Sequence, residues 1–327
     1  MQEWLLILTY LIAGFVLLWR GADWLVAGST LIARRFGIST LVVGLTVVAF
    51  GTSAPEIIVS GLAASEGKVD LSLGNVLGSN IANIGLVLGT CAVILPRIME
   101  TRLHLREVLW LFLSLGAFYF VARDGSITRT EGGLLLGAFA VYNLHVLTTA
   151  GADLTPDDVD VDKLRRRHPW AWTLLGIISI LVAAKLVVMG AEDGALRLGV
   201  PKSVVGLTVV AIGTSLPELA AGVGGAVRGQ SDISLGNVVG SNVFNLMAVI
   251  GIVSLIQPIS PDALPAAASE IRHAFDLAMQ EDVWVVLGFS LAAVLLPRFG
   301  GGGRAKGILL LASYVSYSIW LFATRMG

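Results

Sequence analysis

Residues 49–56 read A-F-G-T-S-A-P-E and residues 211–218 read A-I-G-T-S-L-P-E, each inside a long apolar run. Each octet puts one carboxylate, Glu56 or Glu218, at membrane depth. A charge at the centre of a spanning helix costs about 2.5–3.5 kcal/mol on insertion scales. Here that cost recurs in the same local context 162 residues further on. At that offset residues 42–83 align with residues 204–245 without gaps, and 25 of the 42 pairs are identical. A second island of identity is D-L-S-L-G-N-V-L-G-S-N-I-A-N (residues 70–83) against D-I-S-L-G-N-V-V-G-S-N-V-F-N (residues 232–245). The chain is a duplicated unit, and within these islands the copies keep their polar residues most strictly.

Composition sets the class. Hydrophobic residues make up 55% of the chain and charged ones 14%, against about 25% charged in ordinary globular domains. With a mean hydropathy of +0.82, this reads as an all-α integral membrane protein with little left over for a soluble domain. A net charge of −1 argues against a nucleic-acid partner, which calls for concentrated basic patches. The single cysteine, Cys91, lies in an apolar run, so it reads as a small core hydrophobe and no disulfide forms within the chain. The N-terminus carries Glu3 and no basic leader, and its apolar run outlasts a signal peptide, so it reads as a retained span.

A span needs about 20 mainly apolar residues. Ten are expected, at 4–33, 39–64, 71–95, 106–122, 131–150, 170–196, 203–227, 233–257, 281–297 and 306–324. They group as a first five-helix repeat (1–150), a cytoplasmic linker (151–169) and a second five-helix repeat (170–327). An odd number of spans per repeat makes the second enter the membrane in the opposite sense, an arrangement common in transporters. With the N-terminus outside, 13 Lys and Arg fall in inner segments and 7 in outer ones. The positive-inside rule therefore puts both termini on the extracytoplasmic side of the cell (inner) membrane. The first and sixth spans are long and carry internal charges, Arg20 and Asp23 in one, Lys185, Glu192 and Asp193 in the other. These read as snorkelling side chains or an i, i+3 pair near the interface. The linker's acidic run (Asp157, Asp158, Asp160, Asp162) lacks the ligand order and glycine of a calcium-binding loop, so it reads as solvated. Residues 260–281 are mixed and helix-prone and are expected to lie in the interface.

The residue types explain the spacing. Pro55 has no N–H and its ring clashes with the carbonyl of Gly51, so G-T-S-A-P is where a spanning helix breaks. Carbonyls freed there are tolerated only where protein buries them or a wet cavity receives them. Ala49, Thr52 and Glu56 share one helix face, and Ala211, Thr214 and Glu218 repeat it. The next span adds stripes at fourfold spacing, Asn75, Ser79 and Asn83, then Asn237, Ser241 and Asn245. Gly74 and Gly78 (Gly236 and Gly240) form G-x-x-x-G, which admits a close neighbour such as the broken helix. Brought face to face, the copies supply two carboxylates with hydroxyl, amide and carbonyl oxygens, and neither sulfur nor imidazole. Oxygen-only sites suit hard cations, and calcium takes about 6–8 oxygens. A formal charge of −2 is neutralised by one divalent or two monovalent ions, so the two loads compete for one site. A lone intramembrane glutamate is often only a helix–helix hydrogen-bond partner; two at matched breaks argue for ion binding.

These motifs, G-T-S-A-P-E and G-T-S-L-P-E each followed by G-N-x-x-G-S-N-x-x-N, resemble the sodium/calcium exchanger family of the cation/calcium antiporter superfamily, prokaryotic type. The resemblance implies ten helices as two inverted five-helix repeats, broken at the ion site, with sodium exchanged for calcium by alternating access. It implies that Glu56 and Glu218 bridge the central cations and that Thr52 and Thr214 lend carbonyls to calcium. Ala49 and Ala211 would lend carbonyls to flanking sodium sites, which Ser79 and Ser241 also serve. Asn83 and Asn245 would face the middle of the site, with Ser53 and Ser215 in support, while the first and sixth helices slide across the rest. Many relatives carry aspartate at the position of Asn245, and some at that of Asn83; asparagine at both lowers the expectation of potassium co-transport.

A calcium/proton antiporter remains the alternative, since a buried carboxylate can carry a proton in place of sodium. No membrane enzyme is legible, because G-x-G-D pairs and H-E-x-x-H are absent and His104, His145, His168 and His273 are scattered without a nucleophile. A nucleotide site is absent too: there is no G-x-x-x-x-G-K-S/T, and Gly300 to Gly303 sit in an inner loop outside a strand–helix context. A channel needs weak binding, whereas paired carboxylates suit tight binding. The expected partners are thus calcium and sodium ions and the lipid bilayer, with no cofactor, nucleotide or nucleic acid.

Overall fold

The computed structural model describes residues 2–101, 103–149, 168–199 and 211–325, and every regular element among them is helical. In chain order these are α1 (Gln2–Phe36), α2 (Thr40–Thr52), α3 (Ala54–Ser65), α4 (Val69–Ile94), α5 (Leu105–Ala122) and α6 (Arg129–Thr148). They continue with α7 (Pro169–Arg197), α8 (Ala211–Thr214), α9 (Leu216–Val227), α10 (Ser231–Ile256), α11 (Ile271–Arg298) and α12 (Gly303–Arg325). Seven of these helices are long and apolar enough to cross a membrane, or eight with α2 and α3 taken as one span bent by 42°. Of the other two expected spans, α6 has 20 residues but is less apolar. The last is α8 with α9, whose N-terminal part falls at 200–210, outside the described residues. Most of the acidic linker also lies outside them.

The breaks form where the sequence places them. Ser53 leaves helical geometry at φ −84°, ψ 12°, and Pro55 starts α3; Ser215 (φ −86°, ψ −1°) and Pro217 repeat this ahead of α9. Both short helices then turn into their successors through a glycine at positive φ, Gly67 (77°) and Gly229 (72°), a backbone shape that only glycine adopts without penalty. Both successors also loosen into π-helical turns that begin at matching asparagines, at Asn83–Leu88 in α4 and Asn245–Val249 in α10. A third such turn, Gly44–Val48, lies in α2. Hydropathy carries no sign of these turns, which often mark functional positions.

Packing ranks the helices by depth. The apolar stretches of α10 and α4 are 83% and 72% buried, against 22% for α1 and 11% for α12, so α4 and α10 form the centre. The glycines of α10 fit against α2 as the G-x-x-x-G motif requires. A Cβ on Gly236 would meet Leu41 and the Cα of Gly44, and one on Gly240 would meet Leu45 and Ala49. α1 and α7 form a separate tight pair, with Gly14 on Val187, Gly21 on Ile180 and Gly28 on Thr173. Contacts that step up one helix and down the other make the pair antiparallel, and glycine every seventh residue lets the backbones close up. α7 also lies over both breaks, with Ile177 against Gly51 and Val188 against Gly213.

Two expectations change. Asp23 pairs with Arg228 on the turn after α9, while Arg20 is exposed; the partner is contributed by the other half of the chain, beyond the reach of an i, i+3 reading. Residues 260–281 are not simply interfacial: Ala268–Leu277 is helical, Ile271 and Phe275 are buried in the main core, and a π turn at Ala278–Asp282 carries the helix straight on. The expected span at 281–297 is therefore the inner part of a longer helix, whose amphipathic start packs on protein.

Candidate functional site

Both glutamates sit one turn past their breaks, Glu56 1% and Glu218 0% exposed. Ser53 Oγ, from the first break, donates to Glu218 Oε1 at 2.9 Å, so the second half's carboxylate reaches the first half's bend. Thr52 Oγ1 donates to Asn237 Oδ1 at 3.0 Å, and Asn237 Nδ2 donates to the Glu218 carbonyl at 3.3 Å. Ser79 Oγ is 3.5 Å from Glu56 Oε1. Asn83 Nδ2 donates to Asn242 Oδ1 at 3.0 Å, and Asn242 Nδ2 to the Asn80 carbonyl at 3.2 Å. The two halves thus meet through side chains from both breaks and both central helices.

Among the expected site residues Thr52, Ser53 and Glu218 share one set of bonds through Asn237, Glu56 and Ser79 meet in a second, and Asn83 belongs to a third with Asn242. Ser215, Ser241 and Asn245 are buried, and Thr214 is buried in α8. The Ala49 carbonyl accepts from Ser53 N–H at 3.0 Å and from Thr52 Oγ1 at 3.4 Å. Ala211 opens α8. Three asparagines that carry bonds between the halves, Asn80, Asn237 and Asn242, were not expected as site residues. Asn237 stood in the polar stripe, but Asn80 and Asn242 lie off it. Their signal was the identity of G-S-N in both copies.

What the protein leaves unpaired defines the chemistry. Oε2 of Glu56 and of Glu218, Oδ1 of Asn80, Asn83 and Asn245, and Oγ of Ser215 and Ser241 are buried without a hydrogen-bond partner within the protein. Buried polar atoms are ordinarily paired, because an unpaired one costs roughly 1–3 kcal/mol. Seven such oxygens, two on carboxylates, lie on the two copies of the repeated motifs, and a cation is a partner that oxygens of this kind accept. Among the described residues no three His, Cys, Asp or Glu side chains gather in one place, so the set is two carboxylates plus neutral oxygens, which fits a hard cation. Another buried carboxylate, Glu107 on α5, pairs with Arg106 through Oε1, and its Oε2 is likewise buried without a partner.

Comparison with known proteins bears on the chain as a whole. The family model described as sodium/calcium exchanger protein matches residues 6–148 and 168–323. The chain is 37% identical to the putative antiporter CaxA of Alkalimonas amylolytica, over 96% of this chain and 98% of that one. It is 29% identical to the sodium/calcium exchanger MaX1 of Methanosarcina acetivorans, covering 95% and 97%. Among solved structures, the sodium-calcium exchanger NCX_Mj soaked with 10 mM Na+ and zero Ca2+ superposes with a TM-score of 0.75 at 33% identity, covering 98% of this chain and 99% of that one.

Proposed function

The chain belongs to the sodium/calcium exchanger family, a family of multi-pass membrane transporters, and we propose that it exchanges sodium for calcium by alternating access. The observation that carries this reading is the pair of buried carboxylates, Glu56 and Glu218, each with a partnerless oxygen, the second bonded to Ser53 of the first half's break. Two buried carboxylates are tolerable as anions only with compensating positive charge close by, and otherwise only in their neutral, protonated form. One divalent ion or two monovalent ions supply that charge equally, so binding of either load displaces the other.

In this reading Glu56 and Glu218 bridge the central cations, and Thr52 and Thr214 offer carbonyls to calcium. Ala49, Ala211, Ser79 and Ser241 serve sodium, Asn83 and Asn245 face the middle, and Ser53 and Ser215 support the carboxylates. The ten spans form two inverted five-helix repeats joined by a cytoplasmic linker, with both termini extracytoplasmic. Support for the inversion comes from α1 and α7, the first helix of each repeat, which run antiparallel. Support for strict alternation comes from loop contacts, because segments expected on one face meet each other. Arg97 donates to the Gly229 carbonyl and Arg304 to that of Val93 on the inner side, while Ile127 pairs with Ile259 on the outer side. The α1–α7 pair moves as one body, and its apolar side chains cover or uncover the breaks.

The test is calcium uptake into proteoliposomes preloaded with sodium, with sodium, potassium and proton gradients varied separately. Uptake that follows the sodium gradient is expected. Uptake indifferent to sodium and driven by a pH gradient would make the protein a calcium/proton antiporter.

A further inference from the structure

The G-S-N asparagines of the two central helices are not wired alike. Asn80 turns back on its own helix, donating to the Val76 carbonyl at 2.7 Å. Its repeat partner Asn242 crosses to the other helix instead. It accepts from Asn83 Nδ2 at 3.0 Å and donates to the Asn80 carbonyl at 3.2 Å, spanning one turn of α4. Asn242 is 1% exposed, so nothing from solvent substitutes for either bond.

A primary amide has a donor end and an acceptor end. With Nδ2 of Asn83 committed to Asn242, its Oδ1 is the end left over, and that oxygen is buried and unpaired. Asn245, the counterpart of Asn83, has no such partner, and both its amide atoms are unpaired. We propose that Asn242 is a positioning residue for cation binding, resting on the exchange reading above: it fixes the amide of Asn83 so that the oxygen, and not the nitrogen, faces the cations. Turned the other way, Asn83 would present an N–H donor to a positive ion. Asn242 touches no ion itself and acts through Asn83.

The experiment measures calcium and sodium affinity on purified full-length protein, by equilibrium binding and by half-saturation of flux, in a double-mutant cycle. Asn242→Ala is expected to weaken calcium binding roughly five- to tenfold, the worth of about one well-oriented hydrogen bond, while the maximal flux at saturating calcium changes little. In an Asn83→Ala background the same substitution should have almost no further effect, because the group it orients is gone. Equal losses in both backgrounds, or an unchanged affinity in Asn242→Ala, would overturn the proposal. Should Asn242→Ala fail to fold, Asn242→Asp keeps the acceptor for Asn83 Nδ2 and is expected to retain more affinity than Asn242→Leu; equal affinities in that pair also overturn it. Wild-type protein that binds no calcium would instead sink the exchange reading, a result distinct from either.

Discussion

Gly240 on α10 is the tightest test of how packing sets the site. A Cβ added there would fall 2.7 Å from the Cα of Leu45 and 2.8 Å from the Cβ of Ala49, and would also meet the Leu45 carbonyl. Two of those three atoms are backbone of α2, so no rotamer change relieves the contact. Ordinary carbon–carbon contact lies at 3.4–4 Å, so Gly240→Ala must part α2 from α10 by roughly 0.7–1.3 Å. Calcium–oxygen distances span only about 2.3–2.6 Å, so a shift of that size removes an α2 oxygen from a cation's reach. It would also stretch the Thr52–Asn237 bond, now 3.0 Å, beyond hydrogen-bonding distance. Overpacking of this kind costs about 1–3 kcal/mol, equivalent to roughly a fivefold to 150-fold loss of calcium affinity if it falls on the site. The assay is sodium-driven calcium-45 uptake as a function of calcium concentration, with Gly116→Ala, where a Cβ meets nothing within 4 Å, as control. A Gly240→Ala protein with wild-type half-saturation would refute the claim that this contact sets the position of α2.

Further outcomes can be checked with the same preparations. Glu56→Gln or Glu218→Gln should abolish exchange while leaving size-exclusion behaviour and helicity unchanged, since each removes half of the site's formal charge; normal exchange by either would free that residue from the central role. Asn245→Asp adds a third carboxylate to the set and should shift the ratio of sodium to calcium affinity, read from competition curves. An unchanged ratio would make the asparagine neutral. Gly176→Ala would drive a Cβ to 2.7 Å from the Cα of Leu25 and 2.8 Å from the Gly21 carbonyl, prying α1 from α7. A lower melting temperature and slower flux are expected, from about 1–3 kcal/mol of overpacking.

Much of this was legible in the chain itself. Gly51, Pro55 and Glu56 fix a break and a buried carboxylate by local chemistry alone, and their recurrence 162 residues on fixes the duplication. The G-x-x-x-G glycines foretold a close neighbour, and α2 is that neighbour for Gly236 and Gly240, whereas among the described residues a Cβ on Gly74 or Gly78 would meet nothing within 4 Å. Local rules could not say that Asp23 meets Arg228, that Ser53 serves the other half's Glu218, or that the side chains of Asn237 and Asn242 bond across the halves while those of their repeat partners do not. Those pairings join residues 159–205 positions apart, and near-identical sequence in two copies predicts symmetry where the fold shows difference. The cause is visible at one pair. Asn75 finds the Ser60 hydroxyl at 3.0 Å, but the matching position in the second copy is Gly222, so Asn237 turns instead to Glu218 and Thr52. Composition, breaks and repeated carboxylates are properties of short stretches, and sequence determines them; which hydroxyl or amide completes the other half's ligand set depends on how two unlike neighbours pack, and only the tertiary structure decides that.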